Sequence, residues 1–245
     1  MSTPLLRPML LSLVLLPCWA GSYVVGVEST DYLPIYKGDS GAYSGYAHDL
    51  LDAFAAKHGH QFTYKPMPIA RLFDEFARQK TLDFKFPDNP MWQPDIKKGV
   101  NISYSKGAII VTEGLLVLPA NKGKPLAAIK SIATLRGFTP WPYKAQIDSG
   151  AIKLTEANSA DAAIQMGESG RADGVFLNTT SAAYIMSEVR KKPGALVLDD
   201  KLPLEKSEFS LSSIAHPEVI KAFNEFLDKE RDTVAKLKAK YKISD

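Results

Sequence analysis

The sequence predicts an α/β protein of two lobes, and three observations lead to this fold class. The composition is that of a globular protein, with 45% apolar and 23% charged residues in a chain of 245. Short apolar or aromatic runs alternate with amphipathic helical segments, which is typical of strands joined by crossover helices. This alternation occurs twice, before and after the long apolar run Ala108 to Leu118. We therefore expect two small α/β lobes, each with a mainly parallel sheet.

The first lobe is predicted from a strand, helix, strand, helix, strand pattern. Its elements are a strand at 23–27, a helix within 45–59, a strand at 61–65, a helix that starts at Pro68 and a strand at 82–86. The helix within 45–59 has its apolar residues on one face and ends at Gly59, a residue that favours helix ends.

The second lobe is predicted from a similar pattern after the apolar run. Its elements are a strand at 152–155, a helix capped by Ser159, a strand at 175–177, a helix at 179–189 and a strand at 195–198. A strand at 209–214 and helices at 217–227 and 234–241 remain. We expect them to return to the first lobe, so that the chain crosses twice and leaves a cleft.

The first twenty residues differ from the rest because they carry Arg7 and the apolar run Met9 to Leu16. This pattern predicts a secretory signal peptide at 1–20, and hence a protein of the periplasm. Cleavage after Ala20 removes Cys18, the only cysteine, so we expect a monomer without a disulfide. Lipidation of Cys18 is the alternative.

Charge and motifs exclude several classes of function. The chain has 30 Lys and Arg against 27 Asp and Glu, and the two signs are interleaved, so we expect no nucleic-acid partner. The four histidines and one cysteine lack the spacing of a metal site, and the common nucleophile and nucleotide motifs are absent. We therefore predict no metal, no cofactor and no enzyme activity.

A series of short motifs carries a family resemblance. They lie, in order, at 23–27, 32–34, 45–50, 68–71, 82–83, 102–105, 135–137 and 170–173. The mature chain thereby resembles the extracellular solute-binding proteins of family 3, the periplasmic amino-acid-binding type. The resemblance implies the two-lobed type II periplasmic binding fold, with lobe 1 at 23–112 plus 205–245 and lobe 2 at 113–204. It also implies two hinge strands and closure of the lobes on a small-molecule ligand.

Two positions depart from the pattern of these relatives. They bind the ligand carboxylate with an arginine at a position that falls near Ile96 here, and the ligand ammonium with an aspartate where this chain has Asn178. A guanidinium pairs with a carboxylate through two hydrogen bonds, and a neutral amide does not neutralise an ammonium group. We therefore expect free amino acids to bind weakly, although Asn178 stays a candidate ligand-binding residue.

Four candidate residues are predicted in lobe 1 near its first strand and second helix. Glu28, Tyr32 and Tyr36 follow the first strand at its carboxyl end, where open α/β sheets bind ligands. A packed aromatic loop is the alternative for the two tyrosines. Arg71 lies off the apolar face of its helix and is a candidate replacement for the missing arginine, or else a surface arginine in a salt bridge.

Five further candidates come from two loops. Asp88, Asn89 and Trp92 follow the strand at 82–86, where relatives bind the ligand carboxylate; an Asx turn before Pro90 is the alternative. Trp141 and Tyr143 lie in the segment at 137–144, which stands where the relatives have an anion-binding turn and which contains two prolines. Their rings either face the ligand or pack the lobe.

Three functions follow from these observations. The first is a receptor of an ABC-type importer, with a membrane permease as its partner. The second is a stand-alone sensor or interaction module that signals to a membrane protein. The third is a secreted dehydratase-like enzyme, which would use Glu28, Asp88 or Lys144 as its acid or base.

Overall fold

The computed structural model describes residues 20–39 and 41–243. The predicted signal peptide, with Cys18, lies outside the described residues except for Ala20. Within the described ranges, no helix combines the length and apolar character needed to cross a bilayer.

The N-terminal part contains three parallel strands and the helices that join them. Its elements are β1 Ser22–Glu28, the short strands β2 Asp31–Tyr32, β3 Tyr36–Asp39 and β4 Ala42–Ser44, then α1 Tyr46–His58, β5 Gln61–Met67, α2 Ile69–Phe73 with a π-helical continuation Asp74–Gln79, β6 Phe84–Asp88, α3 Pro94–Lys97 and β7 Ser103–Tyr104. Strand β1 lies between β5 and β6 and is parallel to both. Strands β2 to β4 form a separate small sheet.

The middle part repeats this arrangement after the long strand β8 Ile109–Val117. Its elements are β9 Ser131–Leu135, α4 Lys144–Asp148, β10 Lys153–Ala157, α5 Ala160–Glu168, β11 Gly174–Asn178, α6 Thr179–Tyr184 with a π-helical continuation Ile185–Val189, and β12 Val197–Leu198. Strand β9 lies between β10 and β11 and is parallel to both. Ser159 caps α5, because its hydroxyl accepts a hydrogen bond of 3.1 Å from the backbone N–H of Ala162.

The C-terminal part joins the two parallel groups of strands into one sheet. It consists of β13 Glu205–Ser213, α7 Pro217–Lys229 and α8 Arg231–Lys240. The first half of β13 pairs antiparallel with β8, and its second half pairs with β6 and β7. In α7, Phe223 and Phe226 pack against Phe54 of α1, with ring centroids 5.1 and 5.7 Å apart.

Several details differ from the sequence-based prediction. Strand β9 was not expected, because all but its first residue are buried and it lacks the alternation of a half-exposed strand. The small sheet of β2 to β4 was also missed, since its strands have two to four residues. The strand at 195–198 is reduced to Val197–Leu198. The sheet is mixed rather than mainly parallel, because β8 and β13 run antiparallel to each other.

Candidate functional site

A cavity of about 210 Å³ lies where the two parallel groups of strands meet. Residues from β1, α2 and the loop after β6 line one side, and residues at 137–141 line the other. Strand β8 contributes Glu113 to the cavity wall, and strand β13 contributes Glu205 and Phe209. Of the predicted site residues, Glu28, Tyr36, Trp92 and Trp141 line this cavity.

Carboxylates are prominent in the cavity wall. Glu28 ends β1 and is 3% exposed, and Glu113 lies in the middle of β8 and is 7% exposed. Glu205 begins β13 directly opposite Glu113 in the antiparallel register. Its Oε2 atom is buried without a hydrogen-bond partner. Asp95 is an exposed member of the same wall. Three buried or half-buried acids therefore converge on one space.

Burial governs the ionisation of these acids. It raises the pKa of Glu113 to about 8, with a further contribution from the like charge of Glu205. Burial also raises the pKa of Glu205. The pKa of Glu28 is raised for the same reason, although Lys85 and the Tyr36 hydroxyl favour its charged form. Such shifts mean that each acid lacks a cation strong enough to offset its desolvation.

Two tyrosines of the small sheet, Tyr32 on β2 and Tyr36 on β3, donate hydrogen bonds to two of these acids. The Tyr36 hydroxyl donates to Glu28 Oε2 at 2.5 Å. Tyr32 is fully buried behind the cavity wall, where its hydroxyl donates to Glu113 Oε1 at 3.2 Å and accepts from the backbone N–H of Asn178 at 3.0 Å. Its carbonyl accepts from the Ser181 hydroxyl at 3.0 Å. Tyr32 thus connects the N-terminal part to β11 and α6.

Asp88 is part of a buried ion cluster next to the cavity rather than in its wall. It is fully buried, and its Oδ1 atom lies 2.7 Å from Lys97 Nζ and 3.4 Å from Lys85 Nζ. Its Oδ2 atom accepts from the Ser212 hydroxyl at 2.7 Å. With its oxygens bound in this way, Asp88 holds two buried lysines, and its single charge offsets one of theirs.

Three other predicted site residues also lie outside the cavity wall. Arg71 is 63% exposed, and its Nε atom lies 2.7 Å from Glu75 Oε1, as in the surface salt-bridge alternative. The Asn89 side chain accepts from the backbone N–H of Met91 at 2.9 Å, which is an Asx turn. Tyr143 is buried and donates to the Pro203 carbonyl at 3.0 Å.

Asn178 has a different role from the one its aligned position suggested. It caps α6, because its Oδ1 atom accepts from the backbone N–H of Ser181 at 2.9 Å. Its Nδ2 group is buried with no hydrogen-bond partner. Asn178 does not line the cavity. Its backbone N–H donates to the Tyr32 hydroxyl, which in turn donates to Glu113 of the cavity wall.

The segment at 137–141 offers few free donors to an anion. The backbone N–H of Gly137 donates to Glu156 Oε1 at 2.9 Å. The N–H groups of Phe138 and Trp141 donate to the carbonyls of Leu135 and Thr139. Proline has no N–H group, so positions 140 and 142 offer none. This segment lines the cavity with the rings of Phe138 and Trp141 instead.

Sequence reasoning missed several residues of the cavity wall. The main ones are Phe73, Glu113, Phe138, Glu205 and Phe209. A signal existed for Glu113, because it is the single charged residue in the apolar run 108–118. A buried charge is costly unless it has a function or a partner. Within the described ranges, no group of three His, Cys, Asp or Glu residues has the arrangement of a metal site.

Three solved structures have a similar fold. The substrate-binding protein of an amino acid ABC transporter has a TM-score of 0.69 and 18% identity, over 90% of this chain and 99% of that chain. A histidine kinase sensor domain with similarity to periplasmic binding proteins has a TM-score of 0.70 and 20% identity, over 90% and 95%. The ancestral amino acid-binding protein AncCDT-1, a precursor of cyclohexadienyl dehydratase, has a TM-score of 0.68 and 22% identity, over 90% and 95%.

No protein-family model and no curated protein matches the chain. The structural likenesses nevertheless extend over nearly all of the described residues. They confirm the predicted fold class: the chain has the two-lobed type II periplasmic binding protein fold.

Proposed function

We propose that the protein is a periplasmic solute-binding receptor that closes on a small molecule in this cavity. The proposal rests on the observation that two different parts of the chain form the opposite walls of the cavity. Glu28, Phe73 and Trp92 come from the N-terminal part, and Phe138 and Trp141 come from the segment after β9. A molecule in contact with both sets would hold the two parts together, as in hinge closure around a ligand.

The lobes are proposed at 23–112 plus 205–245 and at 113–204, with β8 and β13 as the hinge strands. The pairing of β13 supports this division, because residues Glu205 to Phe209 pair with β8 whereas Ser210 and Ser212 pair with β6. Bending at two adjacent strands would move the lobes with little change inside either one. Glu113 and Glu205, which pair with each other on these two strands, would then lie at the hinge itself.

A membrane permease of an ABC importer is the proposed partner, and the receptor is proposed to act as a monomer. The likeness to the substrate-binding protein of an amino acid ABC transporter supports this role. A sensor that signals to a membrane protein is the second candidate, and the likeness to a histidine kinase sensor domain favours it. Co-purification from membranes that contain either kind of partner distinguishes the two roles.

Two of the three groups that the sequence predicted for catalysis lie outside the cavity, which supports binding without turnover. Of the three groups proposed for catalysis, Glu28 alone lines the cavity. Asp88 is bound by Lys85 and Lys97, and Lys144 pairs with Asp148 at 2.7 Å on the surface. Mass spectrometry of a bound compound after prolonged incubation tests this, since recovery of an altered compound would argue for an enzyme.

A thermal-shift screen of small polar metabolites and amines tests the binding function. A compound at 100 times its Kd should stabilise the protein by about 2.7 kcal/mol, which raises the Tm of a chain of this size by about 5–10 °C. Small-angle scattering should then show a smaller radius of gyration.

Two variants test whether a compound that raises the Tm binds in this cavity. Thr139 lines the cavity, so Thr139→Trp should reduce the response by filling it. Thr63→Trp, at an exposed position of β5, is the matched control and should leave the response unchanged. A compound whose effect persists in Thr139→Trp would contradict binding in this cavity.

A further inference from the structure

The charged and aromatic groups of the cavity indicate which class of molecule it binds. Its acids are Glu28, Asp95, Glu113 and Glu205, and its aromatic residues are Tyr36, Phe73, Trp92, Phe138, Trp141 and Phe209. Among the described residues that line it, none is Lys, Arg or His. Aromatic faces and carboxylates both attract cations, so both parts of the wall favour a ligand of positive charge.

Among the described residues of the wall, no cationic side chain is present to pair with a ligand carboxylate, and Gln93 and Thr139 offer only neutral donors. Arg71 is outside the cavity and bound to Glu75. The backbone N–H group of Gly137 already donates to Glu156 Oε1 and is not free for a ligand. A carboxylate on the ligand would therefore face buried acids without a compensating cation, which is unfavourable.

Two buried lysines, Lys85 and Lys97, lie nearest the cavity, and together with Asp88 they keep one net positive charge, which also acts on Glu28. Neither lysine lines the cavity, so neither places its ammonium group against a ligand carboxylate. Lys85 and Lys97 both contact Asp88, which neutralises part of their charge. Lys85 Nζ also lies 4.1 Å from the ring centroid of Phe73. The protein's own ammonium group thus shows that a cation packs on an aromatic ring of this wall.

Glu205 is the cavity acid that has a carboxylate oxygen without a hydrogen-bond partner. This atom, Oε2, is buried and receives no hydrogen bond from the protein. It also stands directly opposite Glu113 across the two antiparallel strands. Like charges in that position repel each other, and an ammonium group between them would both donate hydrogen bonds and remove the repulsion.

We propose that the cavity binds an organic ammonium ion that has an apolar body and carries no carboxylate. This inference rests on the proposed binding function and names its ligand class. The cavity of about 210 Å³ has room for several water molecules and hence for a small organic ion. The ligand would place its ammonium group near Glu113 and Glu205 and its apolar body among the aromatic rings.

Calorimetry with four compounds of similar shape and different charge tests the inference. The probes are 2-phenylethylammonium, 2-phenylethanol, phenylacetate and L-phenylalanine. Because a hydrogen bond to a charged group is worth about 1.5–3 kcal/mol, 2-phenylethylammonium should bind about 10- to 100-fold more tightly than 2-phenylethanol. Phenylacetate and L-phenylalanine should bind more weakly than the alcohol.

A pair of variants on β13 tests the assigned acid. Glu205→Gln should weaken 2-phenylethylammonium about tenfold or more and leave 2-phenylethanol unchanged. Glu208→Gln, an exposed position on the same strand, should change neither. Glu205 is half-buried and one of its oxygens has no partner, so its replacement should leave the fold intact.

The outcomes separate this inference from the proposed function. Tighter binding of the alcohol, the anion or the amino acid than of the ammonium ion would overturn the inference and still support a binding protein. Equal affinity of both variants for the ammonium ion would overturn the assignment to Glu205. If none of the four probes binds, the ammonium inference is overturned, whereas the binding function is decided by the metabolite screen.

Discussion

Replacing Glu113 by glutamine should stabilise the ligand-free protein at pH 8.5 and have little effect at pH 5. Burial and the like charge of Glu205 raise the pKa of Glu113 from 4.5 to about 8. The unfolded chain therefore loses this proton first as the pH rises. Linkage then requires that the free energy of unfolding falls between pH 4.5 and about 8, and that the loss is complete above pH 8. Glutamine has no proton to lose, so the variant should not show this decline.

The size of the effect follows from the two pKa values. Each unit of difference corresponds to about 1.4 kcal/mol, so the interval from 4.5 to about 8 gives about 5 kcal/mol as an upper value. Water that enters the cavity stabilises the ionised form and lowers this figure. We expect a gain of about 2 kcal/mol at pH 8.5, or about 4–8 °C in Tm. The amide oxygen of the introduced glutamine would still accept the hydrogen bond from Tyr32, so shape and packing are kept.

Urea denaturation of both proteins at pH 5, 6, 7, 8 and 8.5 measures the effect. Glu28 and Glu205 face the same cavity and have raised pKa values, so both proteins share their contribution. Glu208→Gln is the control and should follow the wild-type profile, because this residue is exposed. A difference between Glu113→Gln and wild type that stays constant over this range would refute the reasoning, since it would show that Glu113 is ionised normally.

The remaining predictions concern the ligand, the hinge and processing. Binding of 2-phenylethylammonium should release protons from Glu113 and strengthen from pH 6 to 8, and calorimetry in two buffers of different ionisation enthalpy should detect the release; uptake of protons would contradict this. Tyr32→Phe should cost about 1–3 kcal/mol in urea denaturation, because the buried N–H of Asn178 loses its acceptor; unchanged stability would show that another group satisfies it. No free L-amino acid should bind with micromolar affinity, and Arg71→Ala should leave the affinity of 2-phenylethylammonium unchanged, because Arg71 is outside the cavity. The intact mass of secreted protein should correspond to a start near Gly21, and retained residues 1–20 or a lipid would contradict cleavage there.

The fold could be predicted from the sequence because its signals are local and repeated. The apolar face of α1, the Ser159 cap and the buried run of β8 each follow from neighbouring residues. Strand β9 could not be found in this way, because it is buried between two parallel neighbours and has no alternating pattern. Its stability depends on partners that are distant in sequence.

The candidate site was less predictable because it depends on pairs of distant residues. Glu28 ends β1 and Trp92 lies in the loop after β6, so both could be expected near the carboxyl edge of the sheet. Whether Asp88 faces a ligand or a lysine depends on Lys97, nine positions away and on another element. Likewise, the role proposed for Glu205 depends on Glu113, which lies opposite it only once β8 and β13 have paired. Such pairings follow from the tertiary structure and not from motif spacing.

The placement of the tryptophans gives the mature protein an optical reporter. The chain has three tryptophans, at positions 19, 92 and 141, and the first lies in the predicted signal peptide. Trp92 and Trp141 both line the cavity, from opposite sides. After cleavage, all tryptophan emission would therefore come from the cavity walls. Changes in the wavelength and intensity of this emission would then report ligand occupancy and lobe closure in real time, without a dye or a label.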